Sequence, residues 1–536
     1  MMKTPSWLED AVFYEIYPQS FYDSNGDGIG DIPGIIEKLD YIQSLGVNAI
    51  WLNPCFESPF QDAGYDVSDY YQVASRYGTN EDLRKLFETA KQREIRILLD
   101  LVPGHTSINC QWFQESQKHN RNPFTDWYIW TNSVWTWETP GIRTVMGYAE
   151  RNSSYVTNFF YFQPALNFGF ANPDPRFPWQ QPVDAPGPKS VRQELKNIMK
   201  FWLDLGANGF RVDMAGSLVK NDSGWKETGK LWGEMRDWLD QNYPEAVIIS
   251  EWGYPSKSIT AGFHMDFMLH FNTSGLTSLF RKPYGHGPGS DPYGFSYFDR
   301  SGHGNIRQFL DDYLPHYEKS KDYGHIALIS GNHDITPRIG FKRNVDDLEL
   351  CFLFLLTMPG TPFIYYGDEI GMDYLDWLPS KEGGYERTGV RTPMQWDNSP
   401  NAGFSTAAAE KLYLPVDERP ERPIVLNQEE DGNSLLNRVR RLIQLRKNHD
   451  SLKASGNLEI LFAEADQPLF IYKRSNRYES IIIAINPSGK SCEALISGTS
   501  ISNYPTTIYG HQKPFSRHGE NWKIFLPAVS ASILRE

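Results

Sequence analysis

Three carboxylate residues, each following an apolar segment, carry the strongest chemical signal in this sequence. Asp213 ends the run GFRVD, Glu251 ends the run VIISE, and Asp334 closes the segment GNHD that follows the apolar residues 326–329. Arg211 and His333 stand beside two of these acids. Paired carboxyl groups can divide the work of nucleophile and proton donor. The sequence therefore predicts a site built from acids and their basic partners.

The segments before these acids read as buried strands within a repeated strand–helix pattern. Helical periodicity at 32–45, in a helix that Asn80 can cap, and at 191–205 separates some of these strands, which predicts a parallel sheet covered by helices. Eight such strands would close into a (β/α)8 barrel, an α/β fold that gathers their carboxyl ends on one face. Two acids that face one bond there are what glycoside hydrolysis needs. The predicted strands are 12–16, 49–52, 95–101, 209–213, 247–251, 267–269, 326–329 and 361–366.

Two regions depart from the strand–helix pattern. Residues 105–188 are rich in Trp, Tyr, Asn, Pro and Gly, and so long an irregular insertion is usually functional. From about residue 451, short alternating runs indicate antiparallel strands. We predict a barrel made of residues 1–104 and 189–450, an inserted loop-rich domain at 105–188, and a C-terminal antiparallel β-sandwich at 451–536.

Composition limits the possible partners. The chain has 536 residues, of which 40% are hydrophobic, 22% charged and 14% aromatic. Aromatic faces pack against the apolar faces of sugar rings, although most of these residues belong to a large core. The formal net charge of −14 disfavours binding to nucleic acid and to anionic membranes. We expect small-molecule substrates, and the sequence leaves the oligomeric state open.

The sequence predicts a cytoplasmic protein. No window approaches the roughly 18 apolar residues of a membrane span, and the first residues lack the pattern of a signal peptide. The four cysteines have no paired spacing, which argues against a disulfide scaffold and against a zinc site. They are Cys55, Cys110, Cys351 and Cys492.

The blocks around the three acids resemble those of the α-amylase superfamily, glycoside hydrolase family 13. Within it they are most similar to the α-glucosidase, oligo-1,6-glucosidase and trehalose synthase branch. The family's strand-three block appears as DLVPGH at 100–105, its strand-four block as GFRVD, and its strand-seven block as NHD at 332–334. Its strand-five block ends at Glu251. Four short matches in the right order, each at a predicted strand end, are specific together.

The resemblance implies a retaining mechanism with defined roles. Asp213 would be the nucleophile, Glu251 the general acid and base, and Asp334 a ligand of the distorted sugar ring. The pKa of Glu251 should be raised while Arg211 keeps Asp213 ionised. The two carboxyl groups should lie about 5–5.5 Å apart.

Further residues resemble the sugar-binding residues of that branch. His105 and His333 would hydrogen-bond the sugar, Asp62 would accept from its hydroxyls, and Tyr65 would stack on its ring. Arg391, in the block RTPMQW, would reach Asp62 and close the groove into a pocket. The predicted substrate-binding residues are Asp62, Tyr65, His105, Gln163, Arg211, His333 and Arg391.

The loop DSNGDGIGD at 23–31 alternates oxygen-bearing side chains, as hard-cation sites do. It resembles the metal loop of oligo-1,6-glucosidases, which implies a structural Ca²⁺, with Mg²⁺ as an alternative. Gly104 replaces an Asn that serves a different calcium site in true α-amylases, which argues against that second site. No organic cofactor is implied. The predicted ligands are Asp23, Asn25, Asp27, the carbonyl of Ile29, and Asp31.

The predicted function is hydrolysis of short α-linked gluco-oligosaccharides through a covalent glycosyl-enzyme. Met214, directly after the predicted nucleophile, matches neither the Val that goes with 1,6 bonds nor the small residues that go with 1,4 bonds. The linkage preference therefore stays open. A trehalose synthase-like isomerase or transglucosidase would use the same residues. A catalytically inactive, transporter-associated barrel is the other alternative, but such relatives lose the catalytic carboxylates.

Overall fold

The computed structural model describes residues 4–135, 141–269, 271–273, 275–285, 293–501 and 504–536. Eight parallel strands close into a barrel in the order β1-β12-β11-β10-β9-β8-β5-β2, which confirms the predicted (β/α)8 class. The barrel strands are β1 (Phe13–Ile16), β2 (Ala49–Leu52), β5 (Arg96–Leu101), β8 (Gly209–Val212), β9 (Val247–Ser250), β10 (Met265–Phe267), β11 (His325–Ile329) and β12 (Thr361–Tyr365). Two short pairs lie outside it, β3 (Phe56–Glu57) with β4 (Asp69–Val73), and β6 (Thr144–Val145) with β7 (Tyr155–Val156).

Helices surround the barrel. They are α1 (Ile32–Glu37), α2 (Leu39–Leu45), α3 (Asn80–Lys91), α4 (Gln111–Ser116), α5 (Pro186–Leu205), α6 (Lys226–Asn242), α7 (Pro255–Ala261), α8 (Gly275–Phe280), α9 (Ile306–Ser320), α10 (Val345–Thr357), α11 (Val425–Glu430) and α12 (Leu435–Asn448). None of the helices in the described ranges is both long enough and apolar enough to cross a membrane.

The strand register explains how the acids meet. In the barrel, β8 lies between β5 and β9, with Arg211 opposite Asp100 on one side and Ile249 on the other. Asp213 and Glu251 directly follow their strands. Because parallel strands end on the same rim, both acids project from one face of the barrel.

Three local expectations from the sequence are wrong. The helix predicted at 32–45 is two helices, since the backbone of Lys38 leaves the helical conformation between α1 and α2. Thr79, not Asn80, caps α3, because its hydroxyl accepts from Asp82 N while the Asp82 carboxylate accepts from Thr79 N. The sixth barrel strand is Met265–Phe267 rather than 267–269.

The predicted insertion follows β5 and has little regular structure. It contains α4, the β6–β7 pair and isolated bridges such as His105↔Ala165, which ties its start to its later part. Stacked rings of Phe113 and Trp130, 5.5 Å apart, belong to its aromatic core. The helix α5 that returns the chain to the barrel begins at Pro186. The domain boundaries at 104/105 and 188/189 stay predictions.

The C-terminal region is a sandwich of two antiparallel sheets, as predicted. One sheet has the order β13-β14-β15-β20-β17 and the other β16-β19-β18. Ile482 and Leu534 from the first sheet pack with Trp522 and Ile524 from the second in one buried cluster. The strands are β13 (Asn457–Ala463), β14 (Phe470–Ser475), β15 (Ser480–Asn486), β16 (Cys492–Ile496), β17 (Thr506–Gly510), β18 (Phe515–His518), β19 (Asn521–Leu526) and β20 (Ser530–Arg535).

Candidate active site

Arg211 joins three carboxyl groups at the rim of the barrel. Its guanidinium is almost fully buried. Nη1 lies 2.8 Å from Asp100 Oδ1 and 3.1 Å from Asp213 Oδ1, while Nη2 lies 2.7 Å from Glu251 Oε1. The structure therefore brings the two predicted catalytic acids onto one cation. Asp100, which the site prediction omitted, is the third acid of this cluster.

Asp213 and Glu251 form a coupled pair. Burial, together with the negative charge of Glu251, raises the pKa of Asp213 well above its usual range, and Arg211 opposes that rise. Arg211 binds both carboxyl groups and so holds them close together, which lets the Glu251 charge act on Asp213. The expectation that Arg211 alone keeps Asp213 ionised is therefore wrong, because burial and the Glu251 charge outweigh the guanidinium.

Met214 turns the chain sharply after the nucleophile candidate. Its backbone is left-handed, with φ 45° and ψ 38°, a conformation that costs a non-glycine residue free energy. In this conformation Met214 N lies 3.2 Å from Glu251 Oε2 and donates to it. The strained turn therefore orients the Glu251 carboxyl.

Asp334 receives three cationic groups. Arg387 Nη1 lies 2.7 Å and Arg391 Nη2 2.9 Å from its Oδ1, while His333 Nε2 lies 3.2 Å from Oδ2. Burial alone would raise the pKa of Asp334, but these groups lower it well below the usual range. Asn332 Oδ1 accepts from Asp334 N at 2.9 Å and holds the turn. Asp334 is therefore a fixed, ionised acceptor.

His333 is a buried imidazolium between two carboxylates. Burial would lower its pKa, but Asp334 on one side and Glu15 on the other raise it to about 9. Tyr65 stacks on its ring at 5.4 Å, and the Tyr65 hydroxyl lies 2.8 Å from Nε2. His333 is fully buried behind the cavity surface.

The acids open into a cavity of about 400 Å³ at the carboxyl ends of the strands. Its aromatic and charged lining suits a sugar ring, which has apolar faces and a polar edge. Of the predicted residues, Gln163, Arg211, His333 and Arg391 lie behind this lining rather than in it. The lining residues are Asp62, Tyr65, His105, Phe159, Phe160, Asp213, Met214, Glu251, Phe271, Asp334, Tyr385, Glu386 and Arg387.

The predicted Asp62–Arg391 clamp is wrong. Asp62 Oδ2 accepts from Gln163 Nε2 at 2.7 Å, whereas Arg391 donates to the carbonyl of His333 and to Asp334. The cation that lines the cavity with Asp62 is Arg387, in the 3₁₀ turn Tyr385–Val390. Burial raises the pKa of Asp62 to about 6, with Arg387 and Gln163 opposing. The RTPMQW motif predicts Arg391, but the arginine at the cavity is Arg387, four residues before it.

His105 has both ring nitrogens engaged inside the protein. Nε2 lies 3.0 Å from the carbonyl of Tyr65, and Nδ1 lies 3.2 Å from Asn158 Nδ2. Burial lowers the pKa of His105 to about 4, so the ring is neutral, donates through Nε2 and accepts at Nδ1. Although His105 lines the cavity, a direct hydrogen bond to a sugar would require one of these contacts to break.

Asn158 and Lys220 support His105 from behind. Lys220 Nζ donates to Asn158 Oδ1 at 3.0 Å and to the carbonyl of Ser217 at 2.7 Å. A Cβ atom at Gly104 would lie 2.6 Å from Asn158 Nδ2, so the glycine leaves room for this amide. Gly104 departs from the family's strand-three block, but no motif in the sequence predicts that Asn158 and Lys220 lie beside it.

Comparison with known proteins agrees with this geometry. Residues 15–455 match the family profile described as the α-amylase catalytic domain. The chain belongs to the α-amylase family. The trehalose synthase/amylase TreS of Mycolicibacterium smegmatis is 31% identical over 564 aligned residues, covering 97% of this chain and 87% of the relative. The oligo-1,6-glucosidase of Parageobacillus thermoglucosidasius is 33% identical over 544 residues, covering 90% and 91%.

A solved structure of an α-glucosyl transfer enzyme, XgtA, is also similar, with a TM-score of 0.79 and 26% identity, covering 99% of this chain and 100% of that one. These findings confirm the family resemblance, and this chain is a glycosidase of the α-amylase family. The relatives' names also fall within the predicted branch.

The predicted metal loop of this α-amylase-family protein is a compact turn. The Asp23 carboxylate accepts from backbone N–H groups between residues 25 and 28, and Asn25 and Asp27 accept in the same way from residues two further on. Asp31 caps α1. Across the described ranges, no three His, Cys, Asp or Glu side chains converge as metal ligands. The donor types suit a hard cation, but the carboxylate oxygens face amides.

Proposed function

We propose that the protein releases the terminal glucosyl unit of short α-linked gluco-oligosaccharides by hydrolysis with retention of configuration. Support comes from the carboxyl pair on Arg211, the sugar-sized cavity, and the similarity to an oligo-1,6-glucosidase over 90% of the chain. The observation that carries the proposal is that Asp213 and Glu251 bind the same guanidinium and both line this cavity.

In the first step, Asp213 attacks the anomeric carbon while Glu251 gives a proton to the leaving oxygen. For this step the proton must reside on Glu251 and Asp213 must be ionised when a sugar lies between them. Loss of that proton leaves Glu251 as a base. In the second step it takes a proton from water, which attacks the glycosyl-enzyme and frees Asp213.

The close approach of the two acids supports retention rather than inversion. Inverting enzymes keep their carboxyl groups about 6.5–9.5 Å apart to hold a water molecule between the sugar and the base. Asp213 and Glu251 instead bind one guanidinium, at 3.1 Å and 2.7 Å, which supports the shorter separation of retaining enzymes.

The remaining charged groups suit the non-reducing end of a chain. Asp62, Asp334 and Arg387 line the cavity together, with two acceptors for sugar hydroxyls and one donor. The ionised Asp334 can accept more strongly as positive charge develops on the ring. These groups offer acceptors and a donor to the hydroxyls of a terminal glucose, which supports release of single glucosyl units from a chain end.

A product profile tests the proposal. Maltose, isomaltose, maltotriose, sucrose and trehalose are each incubated with the enzyme, and proton NMR follows the first sugar released. The anomer is read on an aryl α-glucoside, whose only sugar is the transferred glucosyl unit. Release of α-glucose, which later mutarotates, supports the proposal, and β-glucose as first product contradicts retention. Asp213→Asn should remove turnover without changing the melting temperature, while substantial residual activity would show that Asp213 is not the nucleophile.

Transfer to a sugar is the second candidate, and one observation favours it. Phe160 and Tyr385, from two different loops, approach to 6.4 Å between ring centroids at the cavity lining. Such an aromatic mouth can hold a sugar acceptor and limit the access of water. The relative TreS is named a trehalose synthase/amylase. Appearance of trehalose or longer glucosides from maltose, in excess over glucose, would identify this activity.

We also propose that the loop 23–31 binds Ca²⁺, or Mg²⁺, in a structural role. The support is its alternating oxygen donors, Asp23, Asn25, Asp27, the Ile29 carbonyl and Asp31. If so, Ca²⁺ should raise the melting temperature of the chelator-treated protein, and Asp27→Ala should abolish that rise. An unchanged melting temperature contradicts the proposal.

A cytoplasmic location is proposed because all four cysteines are free thiols, as in a reducing compartment.

A further inference from the structure

Glu15 is a carboxylate in the interior of the barrel that the proposed reaction does not use. It lies on β1, has no exposed surface, and places Oε1 2.9 Å from His333 Nδ1. Its Oε2 is buried and has no hydrogen-bond donor among the described residues. Burying a carboxylate with one unpaired oxygen costs free energy, so Glu15 can stay ionised only with the His333 imidazole beside it.

His333 connects this carboxylate to the cavity. While Nδ1 faces Glu15, Nε2 faces Asp334 Oδ2 at 3.2 Å and the hydroxyl of Tyr65 at 2.8 Å. Asp334 and Tyr65 both line the cavity. A proton held on Nδ1 by Glu15 leaves Nε2–H directed at these two groups.

We propose that Glu15 is a positioning residue of the active site, since its carboxylate holds His333 as an imidazolium with Nε2–H directed at Asp334. The residue acts through His333 and contacts no sugar. Its negative charge offsets the cations gathered on Asp334, and its hydrogen bond fixes the plane of the ring on which Tyr65 stacks. The kinetic part of this proposal rests on the proposed function, but the protonation of His333 does not.

Other groups around His333 modify its charge and do not replace Glu15. Asp334 favours the charged ring, while Arg391 reaches His333 through its backbone carbonyl. The nearby Asp100 and Arg211 reach the ring through the Tyr65 hydroxyl. The groups that face His333 from the surrounding elements are Glu15, Tyr17, Trp51, Asn53, Tyr65, Asp334 and Arg391.

The test is Glu15→Gln, which keeps the shape of the side chain and removes its charge. Without the carboxylate, the His333 pKa should fall from about 9 towards its ordinary value. At pH 6 the variant should retain kcat within about twofold of the wild type, because the ring is still protonated there. At pH 8 kcat should be about tenfold lower if the His333 pKa falls by about two units, because roughly a tenth of the rings then remain protonated.

Glu369→Gln provides a matched control. Glu369 is also fully buried and accepts from the hydroxyls of Tyr14 and Tyr41, away from His333. Burial raises the pKa of Glu369 to about 7, so it also titrates between pH 6 and pH 8, but its partners Tyr14 and Tyr41 do not line the cavity. Its variant-to-wild-type ratio of kcat should therefore be equal at pH 6 and pH 8. Glu15→Asp, which keeps the charge, should recover part of the activity at pH 8. A Glu15→Gln ratio that is the same at both pH values would overturn the proposal and assign Glu15 a structural role only.

A direct measurement covers the case in which Glu15→Gln does not fold. Nitrogen-15 NMR of histidine-labelled wild type should show one imidazole, assigned by His333→Gln, that stays protonated on both nitrogens at pH 8. A neutral His333 at that pH overturns the proposal regardless of any activity. If the imidazolium is present but no α-glucoside reacts, the proposed function fails and the Glu15–His333 relationship stands.

Discussion

Arg387 Nη1 lies 2.7 Å from Asp334 Oδ1, and both side chains line the cavity that contains Asp213 and Glu251. Arg391 Nη2 lies 2.9 Å from the same oxygen but is almost fully buried. One carboxylate oxygen therefore receives two guanidinium groups with different surroundings. The partly exposed Arg387 can exchange Asp334 for a substrate, whereas the buried Arg391 holds the loop in place.

The two arginines should consequently separate binding from stability. Arg387→Met removes a donor at the cavity and should raise KM for maltose-sized substrates at least tenfold, which corresponds to about 1–3 kcal/mol of lost hydrogen bonding. Arg391→Met removes a buried donor from Asp334 and from the His333 carbonyl. It should lower the free energy of unfolding by about 3–5 kcal/mol. Steady-state kinetics and thermal unfolding of both variants decide. A changed KM with unchanged stability in Arg391→Met would contradict this division.

The acid side of the pH profile should report Asp62. Its pKa is raised to about 6, so the carboxyl is mostly protonated at pH 5 and loses an acceptor for sugar hydroxyls. We expect KM to rise as the pH falls below 6, and Asp62→Asn to show a high KM at every pH. Measurements of kcat and KM between pH 5 and pH 8 check this.

The same shift has a consequence for stability. Because the folded protein binds the Asp62 proton more tightly than the unfolded chain, this contribution is complete below the unfolded pKa near 4 and is lost as the pH rises through 6. Asp62→Asn should therefore gain stability relative to the wild type between pH 5 and pH 7. A constant difference between the two proteins across that range would show that Asp62 does not titrate there.

Much of the barrel and the catalytic acids could be predicted because the signals are local. The runs before Asp213 and Glu251 are short, apolar and bounded, and the parallel barrel places all such strand ends on one rim. The predicted ends of the helices are wrong where contacts or backbone angles of single residues determine them. Lys38 interrupts a continuous helical pattern, and the reciprocal contacts of Thr79 and Asp82 decide where α3 begins.

The groups that the prediction missed depend on contacts between distant segments. Arg387 meets Asp334 across 53 positions, and Lys220 meets Asn158 across 62. Glu15 lies 318 positions from His333. Periodicity and motif spacing describe the nearest neighbours along the chain, so they assign a carboxylate to a strand end but do not choose its cation.

Lys220 and Gly104 should both position the Asn158 side-chain amide. Lys220→Met removes the donor to Asn158 Oδ1 and should cost about 1–3 kcal/mol of stability. Gly104→Ala would place a Cβ atom 2.6 Å from Asn158 Nδ2 and displace the same amide. Since both variants free Asn158, the double variant should be less destabilised than the sum of the two, as denaturant unfolding would show. Strict additivity would mean that the two residues act independently.

Tyr385 should control how the glycosyl-enzyme is divided between water and sugar. Its ring is 55% exposed at the cavity mouth, opposite Phe160 on the loop of the insertion. The side-chain amide of Gln163 accepts from Phe160 N and donates to Asp62. Arg387 donates to Asp334 and to the carbonyl of Gly383, so the loops that carry both rings are tied to carboxylates of the cavity. A terminal glucose bound to these acids therefore lies beneath the aromatic pair.

Tyr385→Ala opens this mouth and removes an apolar face for an acceptor sugar. We expect the ratio of glucose released to glucosyl transfer product formed from maltose to rise at least threefold, with the melting temperature unchanged. Tyr478→Ala is the control, because Tyr478 is 77% exposed on the C-terminal domain and should leave the ratio as in the wild type. The ratio is measured by chromatography at several maltose concentrations, since transfer increases with acceptor and hydrolysis does not. A ratio that is the same in both variants would place control of water access elsewhere in the cavity.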